Sequence, residues 1–136
     1  MLARIAQDEN LHMVFYRNLL DSALAVAPSQ TMQAITKVVA NFQMPGHGIE
    51  DYGRRSIQIA MAGIYDLRIH HDEVVAPILR FWKVFDRTDF GPEGEKAREE
   101  LAEFLSGLDA QATRFVESRE RARARLAARG EVPVQV

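Results

Sequence analysis

No cysteine occurs in the 136 residues. That absence excludes disulfide staples, thiolate zinc sites, cysteine-ligated iron–sulfur clusters and a cysteine nucleophile together. A metal would need nitrogen and oxygen ligands, and the nitrogen supply is four histidines: His12, His47, His70 and His71. An excess of either charge is missing too. Lys and Arg number 17 against 19 Asp and Glu, a net charge of -2 that gives no global electrostatic basis for nucleic-acid binding. Long apolar runs are also wanting. The longest covers residues 23–27, far short of the ~20 residues of a membrane-spanning helix. The start, MLARIAQDEN, is broken by Arg4, Asp8 and Glu9, where a signal peptide needs an apolar stretch of about 7–15 residues. The expectation is a soluble, cytoplasmic protein without a membrane or nucleic-acid partner.

What is present is a folding composition, 47% hydrophobic and 26% charged, at the size of one domain. The apolar periodicity is helical throughout, and no stretch alternates as a strand would. The pattern predicts an all-α chain with a first helix over residues 2–27 and a second over 28–43, opened by Pro28-Ser29. Met44-Pro45-Gly46-His47-Gly48 reads as a rigid loop, with His47 a loop residue rather than a chemical one. Further helices are predicted over 51–63 and 64–85, the latter broken or kinked near Pro77. Residues 86–92 form a turn, 93–129 a long polar helix, and 130–136 a frayed tail. No linker divides the chain into two domains. His70 and His71, followed by Asp72 and Glu73, read as solvated, and Trp82 as a packing anchor.

The last helix has Glu93, Glu95, Glu99, Glu100 and Glu103 early and Arg114, Arg119, Arg121, Arg123, Arg125 and Arg129 late. Both trends favour the helix dipole, and the basic end can alternatively dock an acidic partner. Arg54, Arg55, Arg68, Arg80 and Lys83 likewise read as surface charge or as contacts for such a partner.

The first helix carries the chemistry. With Glu9 as origin and about 100° per residue, Leu2, Ile5, Met13, Tyr16, Leu20 and Ala23 all fall within about 40° of it. Glu9 is thus at the centre of an apolar stripe, with His12 beside it. A carboxylate and an imidazole on a core-facing stripe are costly unless paired. The Glu-x-x-His spacing places both one turn apart on one face, where they can reach a single metal ion. In carboxylate-bridged di-iron bundles each of two helices gives such a pair, and two further helices give a Glu each. The other reading is a hydrogen-bonded core histidine. No second Glu-x-x-His is present, since His47, His70 and His71 follow Met44, Leu67 and Arg68 at that spacing.

The run Ile5-Ala6-Gln7-Asp8-Glu9-Asn10-Leu11-His12 resembles the second iron-binding motif of the soluble acyl-[acyl-carrier-protein] desaturases. There an Asp-Glu-x-x-His follows an Ile-Ala-x start, and a Tyr comes four residues after the His, as Tyr16 does. Met44-Pro45-Gly46-His47 is similar to that family's Met-Pro-x-His loop, and Gly63-Ile64-Tyr65 to its Gly-Val-Tyr. Trp82-Lys83-Val84 and Gly91-Pro92-Glu93-Gly94-Glu95-Lys96-Ala97 resemble its later motifs. Order and spacing agree from Ile5 to about Arg125.

The resemblance implies a ferritin-like helical bundle with two iron ions that activate O2. It implies removal of two hydrogens from a saturated acyl chain on acyl carrier protein, leaving a cis double bond, in fatty acid biosynthesis. Electrons come from a ferredoxin-type donor, and the enzyme is a homodimer. Glu9 and His12 match metal ligands, and Asp8 matches the Asp that orients the ligand shell. The family's first Glu, first Glu-x-x-His and third Glu have no counterpart here. Residues 1–129 are therefore expected to be the C-terminal part of a ferritin-like di-iron desaturase domain, inactive alone. The alternatives are a non-catalytic helical fragment or paralogue lacking a complete metal site, or another di-iron carboxylate oxidase.

Overall fold

The computed structural model describes residues 2–43, 46 and 48–129, and all regular structure among them is helical. The fold class is all-α, as the periodicity predicts. The helices are α1 (Leu2–Val26), α2 (Pro28–Ala40), α3 (Tyr52–Ala62), α4 (Leu67–Ile69), α5 (Ala76–Phe81) and α6 (Gly91–Ala128), with a π-helical segment His70–Val75 between α4 and α5. His47 lies outside the described residues, as does the 130–136 segment expected to fray. None of the described helices is long and apolar enough to cross a membrane.

The chain separates into two compact units, one from Met1–Ala40 and Ile78–Leu101, the other from Asn41–Pro77 and Ala102–Val136. Each unit draws on two discontinuous stretches, so no linker in the sequence marks the division. The first unit holds most of the apolar core: Leu24, Met32, Ile35, Leu79, Trp82, Val84, Phe90, Ala97 and Leu101 are all buried.

Pro28 explains how α1 and α2 meet. It lacks the N–H that would bond back to the carbonyl of Leu24. The Arg87 guanidinium fills the gap, donating to Leu24 O at 2.9 Å while gripping Asp89 through Nε and Nη2 at 2.9 and 2.6 Å. Ala27 closes one helix and opens the next, donating to Ala23 O at 2.8 Å and accepting from Thr31 N at 3.0 Å. The buried hydroxyl of Thr36 donates to Ala97 O at 2.8 Å, tying α2 to the first turns of α6. Buried hydroxyls need such partners, because an unpaired one costs about 1–3 kcal/mol. Trp82 is the packing anchor expected: it is buried, and its indole N–H donates to Arg17 O at 2.9 Å. The Arg17 guanidinium stacks 4.1 Å above the Phe81 ring.

In the second unit α3 ends on Gly63, whose φ of 78° is the left-handed conformation favouring glycine. Its N–H bonds to Ala60 O at 3.0 Å, and Ile64 N–H reaches Ile59 O at 3.1 Å. Two arginines of α6 complete this helix end. Arg119 donates to Ala60 O at 2.9 Å and Arg123 to Met61 O at 2.8 Å, which also sets cations against the negative end of the dipole. The break expected near Pro77 takes the form of the π-helical segment: Ala76 N–H bonds to His71 O, five residues back, and the helix continues through the proline.

Candidate metal centre

Glu9 and His12 lie in the uninterrupted α1, with Glu9 Oε2 and His12 Nδ1 3.8 Å apart. The side chains are 73% and 66% exposed. The burial expected of their stripe is therefore corrected: every described residue from 2 to 13 is exposed, and Tyr16 is 62% exposed. Packing of α1 begins only at Val14, Arg17 and Leu20 and becomes complete at Leu24. Periodicity reports which face is apolar but not whether a neighbour covers it, and no described residue buries this half of α1.

One carboxylate oxygen and one imidazole nitrogen, one helical turn apart, suit iron, and their approach allows both to meet one ion without altering the helix. They fit one helix's share of a ligand shell. They do not make a closed site, because no group of three or more potential ligands occurs among the described residues. Asp8 is exposed on the preceding position, one turn before His12.

His70 and His71 differ from expectation, being half-buried rather than solvated. His70 stacks on Phe42 with ring centroids 5.3 Å apart, and its Nδ1 is hydrogen-bonded to the Tyr65 hydroxyl at 2.8 Å. Burial, then the neighbouring His71, pulls the His70 pKa down. Burial pushes the Tyr65 hydroxyl up. His71 Nδ1 is 2.6 Å from Asp72, and that hydrogen bond is the main reason the Asp72 carboxyl lies below its ordinary value.

Among the described residues the buried carboxylate is Asp66, which sequence reasoning passed over. Its side chain caps α4, accepting from Ile69 N–H at 2.9 Å, and pairs with Arg119. Burial alone would raise its pKa, but the Ile69 N–H and the Arg119 guanidinium outweigh that and hold it low. An Asp just before a helical run is a readable cap signal; its partner 53 residues away leaves no local trace. Arg68 is also committed within the fold. It donates to Asp109 Oδ1 at 2.6 Å and Thr113 Oγ1 at 2.7 Å, and the Asp109 bond raises its pKa. Arg54 pairs with Asp51 at 2.7 Å, while Arg55, Arg80 and Lys83 are exposed.

The fatty acid desaturase family profile matches residues 1–132. The chain belongs to that family, an oxidoreductase family, and its fold class is the ferritin-like helical one. It is 42% identical over 121 residues to the "Putative acyl-[acyl-carrier-protein] desaturase DesA1" of Mycobacterium tuberculosis, in both strain CDC 1551 / Oshkosh and strain ATCC 25618 / H37Rv. That match covers 89% of this chain and 36% of the relative, so the chain spans about a third of the relative's length. No solved structure matches it.

Proposed function

We propose that residues 1–129 are the C-terminal part of the di-iron domain of an acyl-[acyl-carrier-protein] desaturase, acting in cytoplasmic fatty acid biosynthesis. The observation that carries this reading is Asp8-Glu9-x-x-His12 on one helix, in a chain that the desaturase family profile matches over residues 1–132. Glu9 and His12 hold part of a centre of two iron ions. When bound, that centre supplies O2 activation for removal of two hydrogens from a saturated acyl chain, leaving a cis double bond. Asp8 helps orient the ligand shell, as an outer carboxylate beside metal ligands does. The rigid α1 backbone keeps the two ligands in register. Acyl carrier protein presents the substrate, a ferredoxin-type protein supplies electrons, and the enzyme works as a homodimer.

The test uses the complete desaturase that contains this segment, loaded with Fe(II) and given ferredoxin, its reductase, O2 and a panel of saturated acyl carrier proteins. Mass spectrometry is expected to find products lacking two hydrogens. Glu9→Ala and His12→Ala are expected to abolish them, and Asp8→Asn to slow turnover about 10–100-fold. Turnover by His12→Ala within twofold of the parent would sink the assignment. Conversion of an acyl substrate only when it is free of carrier would move the protein to another class of di-iron carboxylate oxidase.

A further inference from the structure

Among the described residues, the half-buried arginines are Arg17, Arg68, Arg87, Arg98 and Arg119. All but Arg17 hold a carboxylate. Arg68 meets Asp109 and Arg87 meets Asp89, each at 2.6 Å, while Arg98 pairs with Glu95 and Arg119 with Asp66. The Arg17 guanidinium lies over the Phe81 ring, its Cζ 4.1 Å from the centroid, and has no ion pair among the described residues. Its Nε is closed off from solvent without a hydrogen-bond partner. Asp21, one turn further along α1, is exposed and takes no bond from it. Long side chains on a helix lean toward its N-terminus, away from that residue.

Arg17 stands where packing on α1 starts. The turns before it expose Ile5, Leu11, Met13, Phe15 and Tyr16, and Arg17 lies about 40° round the helix from Met13. Phe81 is itself 41% exposed. Apolar side chains exposed together mark a surface that another segment covers. A cover of apolar side chains alone would seal the guanidinium in without an anion, which is strongly destabilising. The covering segment must therefore bring a carboxylate to the two Nη groups, which can donate to both its oxygens at once. The matched residues make up 36% of the DesA1 relative, so most of a complete desaturase is available to form that cover. Every other half-buried arginine pairs within its own chain, which favours the same source for Arg17 over a separate protein.

We propose that Arg17 pairs with an aspartate or glutamate of the complete desaturase that lies outside residues 1–136. This ion pair fixes the covering segment on the half of α1 that carries Glu9 and His12. It rests on the desaturase reading above and adds to it the charged contact that sets the segment's position.

The test treats the complete desaturase carrying Arg17→Lys with a water-soluble carbodiimide, which joins an amine to a touching carboxylate as an amide. Mass spectrometry is expected to map a cross-link from position 17 to an Asp or Glu of the same chain outside residues 1–136. The parent, whose guanidinium does not react, is expected to lack it. Arg17→Met and the amide variant of the mapped acid are each expected to lower the urea midpoint. Their double variant is expected to lower it no further than the larger single loss, because both remove one interaction. Arg17→Gln replaces Arg17→Met if that variant does not fold. Failure to cross-link outside residues 1–136 would overturn the pairing, as would additive losses in the double variant. A cross-link to Asp21, one between two copies at doubled mass, or one formed only with added acyl carrier protein would overturn it too. Carrier-linked turnover by the parent is measured alongside. Turnover without the cross-link removes the pairing and leaves the function; the cross-link without turnover removes the function and leaves the pairing.

Discussion

Asp66 joins two elements through one carboxylate. It caps α4 by accepting the Ile69 N–H and it pairs with Arg119, which also closes α3. Its side chain is 2% exposed and that of Arg119 14%, so removing the carboxylate leaves a largely buried cation without its anion. Asp66→Ala is expected to cost about 3 kcal/mol, read as a fall in urea midpoint at unchanged slope. The pH dependence follows from the lowered pKa. The unfolded chain binds a proton near pH 3.9 and the folded chain only below that. The contribution is therefore complete above about pH 5 and lost as pH falls through the folded value. His70 adds a second decline at higher pH. Its pKa is depressed by burial, so the unfolded state takes up a proton first as pH falls below about 6.5. His70→Gln is expected to remove that upper decline and Asp66→Ala the lower one.

The elements show which signals travel through local sequence. Pro28 splits α1 from α2 at the expected position, because a missing N–H acts within one turn. Gly63 ends α3 for an equally local reason. The break near Pro77 was legible, but its π-helical form was not, since proline specifies only that one bond is missing. The ends of the predicted second and fourth helices, at 43 and 85, overran the observed helices at Ala40 and Phe81. Apolar residues such as Phe42 and Phe85 continue past the last helical bond. Gly94 is a close-approach position at the start of α6 that helical periodicity does not reveal. A Cβ there would lie 2.7 Å from Phe90 Cβ and 3.0 Å from Ser29 Cα. Alanine would gain about 1 kcal/mol of helix propensity and lose about 1–3 kcal/mol to overpacking. The clash involves backbone, which cannot swing aside, so Gly94→Ala is expected to lower the melting temperature by several degrees. A rise would show that α2 and α6 yield at this contact.

At the scale of the whole chain, helical fold class and the Glu9/His12 pair were both legible, whereas the surroundings of the pair were not. Periodicity placed Glu9 in an apolar stripe, and the structure leaves that half of α1 exposed. Long-range ties such as Arg68–Asp109 and Thr36–Ala97 depend on the fold and have no signature in spacing. The chain spans about a third of the relative's length, and its described residues hold no group of three or more potential metal ligands. Under the proposed function, Glu9 and His12 hold a share of a centre that the complete desaturase assembles. Iron content tests that claim most directly. Plasma emission analysis of the purified complete protein is expected to give about two irons per chain, the stoichiometry of a di-iron carboxylate centre. Glu9→Ala and His12→Ala should each lower it sharply while far-UV circular dichroism stays unchanged. Full iron occupancy in both variants would contradict the assignment.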